Sequence, residues 1–384
     1  MPKVAIVGNQ AFALLNFRAP LIEALVAAGN EVVACAPRMT EEDKSRIREL
    51  GALPLEYPLT RAGINPFHDL ATLIGLLRIL LAHKPDVVVS YTIKPSIYGT
   101  IAAKLAGVKH SYAMITGLGY AFTNSRANIR SKIIYRVARL LYKLSFLLSD
   151  GVVVQNNDDR NFIIDEGLIS ASKVKGVFPT GIKLGEWPLT PPLLIPTTFT
   201  LVARMLADKG VREFVAAAKL IKCRYPSARF LLVGGLDSNP LAIGEAEVST
   251  WVGEKTVEWL GHVPVRPVLD ETSVFVLPSY REGVPRSSQE AAALGRPIVT
   301  TDVPGCRETV IHGVNGFLVP AQDVERLREA MERFLQSPDL ISTMGNESRK
   351  IAEQRFDAEK ICAQLIKIFG LASTQSEQAA NSDL

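Results

Sequence analysis

Two glutamates, an arginine and a lysine stand where chemistry could be done. Glu282 and Glu290 are eight residues apart in Pro278-Ser279-Tyr280-Arg281-Glu282-Gly283-Val284-Pro285-Arg286-Ser287-Ser288-Gln289-Glu290. The stretch follows an apolar run, and Pro285 suits the first position of a helix. Free amides around Gly283 and Val284, together with the helix dipole, would make an anion site. If Glu290 lies two turns into that helix, it is roughly 10 Å further along at 1.5 Å per residue. One carboxylate could then hold sugar hydroxyls and the other a ribose diol, with phosphate between them. The bland alternative is a helix acid favoured by the dipole and a solvated loop acid.

A second segment adds two cations. The run Phe199–Ala203 ends in Arg204-Met205-Leu206-Ala207-Asp208-Lys209-Gly210, which opens the next helical pattern. An arginine leaving a strand and a lysine at a helix start would stand beside one edge. A departing diphosphate needs such charges when no metal supplies them. Either residue alone would more simply be a solvated surface cation.

Several chemistries are missing. Gly8-Asn9-Gln10-Ala11-Phe12-Ala13 follows the first apolar run, but it lacks the GxGxxG of dinucleotide sites. Gly117-Leu118-Gly119 is no closer, and no GxxxxGK[ST] occurs. Cys35, Cys223, Cys306 and Cys362 are far apart in sequence, with no metal or haem spacing. They read as reduced thiols of a cytosolic protein. His110 reads as a packed or strand-edge histidine and His262 as a loop residue. No metal ligand set and no cofactor is expected.

The elements that must position these residues follow from hydrophobic periodicity. The chain has 384 residues, 47% hydrophobic and 21% charged, with Lys+Arg 43 against Asp+Glu 39. That balance excludes disorder and a coiled coil, and a net +4 does not announce nucleic acid. Strand-like runs are Val4–Val7, Glu31–Ala36, Asp86–Ser90, Val108–Ile115 and Gly151–Val154. After the proline cluster Pro188–Pro192 come Phe199–Ala203, Phe230–Val233, Val274–Leu277 and Ile298–Thr301. Helical spacing lies between them at Pro20–Ala28, Phe67–His83, Ser96–Ala106, Glu213–Lys222 and Ser287–Leu294. Two βαβα blocks predict an α/β protein of two doubly wound parallel-sheet (Rossmann-like) domains facing across a cleft. The expected bounds are 1–187, 188–355, and a C-terminal helix with polar tail over 356–384 that returns toward the first domain. No run reaches the ~18 apolar residues of a membrane span.

One segment is lopsided. Arg126 to Ser149 holds Arg126, Arg130, Lys132, Arg136, Arg139 and Lys143 and no acid before Asp150. On a helix, Ile129, Ile133, Val137, Leu140, Leu144 and Leu148 share one face, with Lys132, Arg136, Arg139 and Lys143 along its border. This is the make-up of a helix lying on an anionic membrane surface. It equally suits a domain helix whose apolar face enters the core.

Taken together, Arg204-x4-Lys209-Gly210, Pro278–Gly283, the Glu282/Glu290 pair and Ala293-Leu294-Gly295-Arg296-Pro297 resemble retaining glycosyltransferases of family four, with the GT-B fold. Thr301–Glu308 and Gly313-Val314-Asn315-Gly316 continue the likeness. Leu15-Asn16-Phe17-Arg18, Tyr91-Thr92-Ile93-Lys94-Pro95 and Ile115-Thr116-Gly117-Leu118-Gly119-Tyr120 resemble a bacterial subgroup that extends polyprenyl-diphosphate-linked sugars with a hexose or N-acetylhexosamine.

The resemblance implies a UDP-sugar donor and such a lipid-linked acceptor. It makes Arg204 and Lys209 diphosphate ligands, Glu290 the ribose ligand and Glu282 the holder of donor-sugar hydroxyls. Gly283, Val284 and Gly8 join the donor side; Asn16, Arg18, Lys94, Thr116 and Gly117 belong to the acceptor side. It implies a location on the inner face of the cell membrane, and no catalytic histidine is carried over. A non-hydrolysing UDP-sugar 2-epimerase of the same fold and a nucleotide-sugar-binding scaffold are the competing readings.

Overall fold

A computed structural model of the protein describes residues 1–60, 65–118, 129–237, 239 and 242–371. The chain divides into two compact units, Met1–Thr180 with the stretch from Ala358, and Gly181–Asp357.

The first unit is built on seven parallel strands. They are β1 (Lys3–Val7), β2 (Glu31–Ala36), β3 (Ala52–Glu56), β4 (Val87–Tyr91), β5 (His110–Ile115), β6 (Gly151–Val154) and β7 (Val174–Val177), in the order β3-β2-β1-β4-β5-β6-β7. Their continuous apolar runs fit a sheet covered on both faces. Val4 pairs with Val32 on one side and Val87 on the other. One face packs Ile6, Val89 and Met114, and the opposite face Val7, Cys35 and Val88. The Ala358–Ile368 helix packs on the Ala19–Ala27 helix of the same unit, burying Ile361 and Leu365.

The second unit holds six parallel strands, β8 (Thr198–Val202), β9 (Arg229–Val233), β10 (Glu258–Trp259), β11 (Val274–Leu277), β12 (Ile298–Thr301) and β13 (Gly316–Val319). Their order is β10-β9-β8-β11-β12-β13. In each sheet the order reverses once, between β1 and β4 and between β8 and β11. Ligands of doubly wound sheets sit outside the carboxyl ends of strands at such reversals. β3, β7, β10 and β13 had no counterpart among the expected strands. Ala52–Glu56 and Val174–Val177 are edge strands whose apolar residues are broken by Pro54, Glu56 and Lys175, so their periodicity is weak.

The Ile93–Leu105 helix packs against both the Pro66–His83 and the Ile129–Leu148 helices. The Ile129–Leu148 helix settles which of its faces enters the core. Tyr142, Ser145 and Phe146 are buried, and Ser145 Oγ donates to Ser96 O at 2.7 Å. Ile133, Val137, Leu140, Leu144 and Leu147 are exposed, Leu140 to 68% and Leu147 to 70%. The apolar stripe seen in the sequence is therefore not the core face. Lys132, Arg136 and Lys143 are exposed beside it. Arg139 is not a free border cation: it donates to Glu166 O at 2.6 Å and lies 3.4 Å from the Glu166 carboxylate. Arg126 and the side chains of Ile129 and Arg130 lie outside the described residues. The Pro66–His83 helix also exposes an apolar line, Phe67, Leu70, Ile74 and Leu81, while Thr72, Leu76 and Leu80 are buried.

Candidate active site

The loops leaving β8, β11 and β12 converge at the strand-order reversal of the second unit. After β8 the chain runs through Arg204 into a short helical turn, Ala207–Lys209, and then Gly210 at φ 70°. A Cβ at Gly210 would fall 2.1 Å from Pro278 O, so only glycine lets this turn lie against the β11 exit. Tyr280 N donates to Asp208 O at 2.9 Å and Glu282 N to Pro304 O at 3.1 Å, which ties the three loops together. Gly305 presses on Glu282 O and Gly283 O from the β12 side.

This stitching brings Lys209 to Glu282. Lys209 Nζ donates to Glu282 Oε1 at 2.6 Å, and Ser279 Oγ donates to the same oxygen at 2.9 Å. Both charged side chains are mostly shielded from solvent. Burial opposes the lysine charge, but Glu282 and Asp208 beside it hold its pKa above the ordinary value. Arg204 is exposed and anchored differently: its guanidinium donates to Asp237 Oδ2 at 2.7 Å, from the loop after β9. Its charge still acts on Lys209, in the direction of repulsion. Two cations thus share one strand edge, and each faces a carboxylate of its own, Glu282 for Lys209 and Asp237 for Arg204.

Glu290 lies in the Arg286–Ala293 helix, whose N-cap is Pro285, not its first helical residue as the sequence suggested. Ser287 Oγ donates to Val202 O at 3.1 Å, seating the helix start on β8. Glu290 is buried and accepts from Arg286 Nε at 2.7 Å. Burial raises its carboxyl above the usual range, with Arg286 opposing. Val284 is buried, and its carbonyl accepts from Gln289 Nε2 at 3.2 Å. Cys306 is also buried nearby, its thiol pushed up to about 12 chiefly by burial, with the Glu282 charge adding.

Asp237 and Arg286, the partners of Arg204 and Glu290, were not singled out from the sequence. Arg286 was within reach, since it is four residues before Glu290 on one helix. Asp237 was not, because 33 residues separate it from Arg204.

In the first unit, Gly8 leaves β1 and its carbonyl accepts from the Tyr57 hydroxyl at 2.6 Å. A Cβ at Gly8 would fall 2.0 Å from the Tyr91 oxygen, which explains the glycine. Arg18 ends a five-residue π-helical segment, Leu14–Arg18, and is buried with its guanidinium 5.0 Å from the Tyr91 ring centre. Asn16 Nδ2 turns to Phe12 O at 2.8 Å. Lys94 is largely buried and paired with Asp69 at 2.7 Å. Thr116 and Gly117 follow β5, with Gly117 at φ 119°. Gly119 and Tyr120 lie outside the described residues. His110 opens β5 with its side chain exposed, 4.0 Å from Asp150, and His262 is an exposed loop residue.

The chain as a whole is similar to known proteins. A family model described as Glycosyl transferase 4-like domain matches residues 17–177, and one described as Glycosyl transferases group 1 matches 196–337. Over 96% of its length the chain is 27% identical to N,N'-diacetylbacillosaminyl-diphospho-undecaprenol alpha-1,3-N-acetylgalactosaminyltransferase of Campylobacter jejuni, covering 98% of that relative. It is 26% identical to the UDP-Gal:alpha-D-GlcNAc-diphosphoundecaprenol alpha-1,3-galactosyltransferase of Escherichia coli, over 72% of this chain and 73% of the other. Among solved structures, sucrose-phosphate synthase from Thermosynechococcus elongatus superposes with a TM-score of 0.80 at 18% identity, covering 99% of this chain and all of that one. Anabaena Alr3699/HepE in complex with UDP-glucose gives 0.74 at 19% identity over 98% of this chain. The chain belongs to the family-four glycosyltransferases, with the GT-B fold. It is an enzyme that transfers a sugar.

Proposed function

We propose that the protein moves a hexose or N-acetylhexosamine from a UDP-sugar, with retention of configuration, to a saccharide carried on a polyprenyl diphosphate. Near full-length similarity to a transferase named for a diphospho-undecaprenol acceptor carries this reading. The related galactosyltransferase named for a UDP-Gal donor supports the nucleotide. No observation favours the epimerase alternative, and the relatives named above are all transferases.

The residues divide the work as follows. Lys209 and Arg204 balance the charge that develops on the leaving diphosphate, where preorganised cations are worth most. A bound donor offers Lys209 a phosphate in exchange for Glu282, and the released carboxylate then accepts hydrogen bonds from sugar hydroxyls. Glu290 accepts from the ribose diol, with the Gly283 and Val284 segment along the phosphates. Asn16, Arg18, Lys94, Thr116 and Gly117 form the acceptor side. Front-face attack by the acceptor hydroxyl needs no enzyme nucleophile, so the paired carboxylates of hydrolases are not required.

The acceptor's lipid sets where the enzyme works. Among the described residues no helix is long and apolar enough to cross a membrane. We assign docking on the inner, anionic leaflet to the exposed stripe of the Ile129–Leu148 helix, because its apolar residues are bordered by Lys132, Arg136 and Lys143. Such cations contribute about 1 kcal/mol each near an anionic surface.

Incubation with a panel of UDP- and GDP-sugars and a short-chain polyprenyl-diphosphate disaccharide tests the reaction. The expected result is a product one sugar heavier plus UDP, with an α-configured new linkage. An isomerised donor with no glycan growth would refute it.

A further inference from the structure

At the strand-order reversal of the first unit, several polar groups are buried without partners. Arg18 is 3% exposed, and its guanidinium makes no hydrogen bond or ion pair with any described residue; Nε is fully enclosed. Its neighbour is the face of Tyr91, itself 2% exposed, whose hydroxyl is also buried and unpaired. Asn9 Oδ1, beside Gly8, and Thr92 Oγ1, beside Tyr91, are in the same condition. Buried polar groups are normally hydrogen-bonded, and a buried charge normally has a counter-charge. Four exceptions together at the carboxyl ends of β1 and β4 require an explanation.

Three further observations point the same way. Thr92 sits at φ 69°, a costly conformation for a β-branched residue. It is the N-cap of the 13-residue Ile93–Leu105 helix, yet its side chain caps nothing. The π-helical segment ending at Arg18 is itself uncommon, and Arg18 is among its buried residues. Burial pulls the Arg18 pKa down, opposed only in part by Tyr91 and Cys362 and by no carboxylate.

We propose that Arg18, Tyr91, Thr92 and Asn9 form a subsite for a phosphate-type oxyanion, held by the guanidinium fork, the two hydroxyls and the helix start. Guanidinium donors match phosphate oxygens in geometry and charge, and such a ligand supplies the counter-charge that the protein withholds. The inference deepens the proposed function by giving the first unit a ligand class. It rests on that reading only for the oxyanion's source, which is the acceptor's diphosphate or the donor's.

The test is a calorimetric titration of the full chain and of Arg18→Gln with farnesyl diphosphate, UDP and farnesol. A loss of roughly tenfold or more for farnesyl diphosphate, with UDP and farnesol unchanged, supports the subsite and assigns it to the lipid acceptor. The same loss for UDP alone supports it and assigns it to the donor. Unchanged affinity for both anions overturns it, and so does an equal loss for farnesyl diphosphate and farnesol, which would mark apolar packing. If circular dichroism shows Arg18→Gln unfolded, Tyr91→Phe and Thr92→Val decide. Each removes one donor and should weaken the same anion severalfold, and unchanged affinity in both overturns the proposal. None of these readouts needs turnover. Absence of sugar transfer with an intact Arg18 effect therefore refutes the proposed reaction alone.

Discussion

Lys209 Nζ lies 2.6 Å from Glu282 Oε1, although 73 residues separate them, and Ser279 Oγ donates to the same carboxylate oxygen at 2.9 Å. The pair holds both members of the proposed donor site in place. On the proposed function Lys209 would have two jobs, positioning Glu282 and receiving a phosphate, whereas Arg204 at 60% exposure would have only the second.

Substituting these cations should separate the two jobs. Lys209→Ala and Arg204→Ala are each expected to lower turnover on the order of 10²-fold by removing charge stabilisation of the leaving group. Lys209→Ala should also destabilise the fold by about 1.5–3 kcal/mol, since it strands a shielded carboxylate. Arg204→Ala should change stability by under about 0.5 kcal/mol. Steady-state kinetics and urea unfolding check both expectations. Equal stability loss in the two variants would contradict the positioning role.

The two acids should differ in what they recognise. Glu290→Gln is expected to weaken UDP itself, whereas Glu282→Gln should spare UDP and impair the intact donor. Calorimetry with UDP and with UDP-sugar distinguishes them, and parallel losses for both ligands in both variants would reject the assignment.

Glu290 also gives a pH signature. Its folded carboxyl titrates above the ordinary 4.5 because it is buried, with Arg286 partly opposing. The folded state therefore holds this proton more tightly than the unfolded chain. The resulting stability is fully present below pH 4.5 and is lost as pH rises through the raised value. In that window the wild type should lose stability relative to Glu290→Gln, and UDP should bind more tightly as the carboxylate accepting the ribose diol forms. Unfolding curves and UDP titrations across the window test both signs.

The thiols should react unequally. Cys223 is exposed, while Cys35, Cys306 and Cys362 are buried. Burial pushes the Cys35 and Cys306 thiols up to about 12. Iodoacetamide at pH 8 should modify Cys223 in the native enzyme and all four cysteines in denaturant, by mass spectrometry. Activity should survive the native labelling, because Cys306 stays untouched beside Glu282.

Membrane docking should be electrostatic and local. Changing Lys132, Arg136 and Lys143 to Glu should release the enzyme from phosphatidylglycerol vesicles, and raising salt from 0.1 to 1 M should do the same in the wild type, as screening shortens from ~10 Å to ~3 Å. Arg139 is left intact because Glu166 holds it. Transfer to a water-soluble acceptor should persist in the triple variant. Equal pelleting of both proteins at both salts would remove this role from the helix.

Much of the architecture was written locally. Runs such as Val87-Val88-Val89 and Val274–Leu277 are apolar on both sides of the pleat, so they could only be covered strands. The 204/209 and 282/290 spacings each lie within one strand-to-helix transition, where short-range geometry governs. Pairings across the chain were decided by tertiary structure. Lys209 reaches Glu282, and Arg18 reaches Tyr91, only because β8 neighbours β11 and β1 neighbours β4, an order that no local pattern encodes. The Ile129–Leu148 helix shows the same limit from another side. It carries apolar residues on two faces, and periodicity cannot rank them. Tyr142, Ser145 and Phe146 face inward because small and aromatic groups fit against the Ile93–Leu105 helix, where Ser145 also finds Ser96 O. That leaves the Ile133, Val137, Leu140, Leu144 and Leu147 stripe outside. The sequence determined the central strands, the two-sheet pattern and the chemistry available; packing decided the edge strands, which of those groups meet and which face stays exposed.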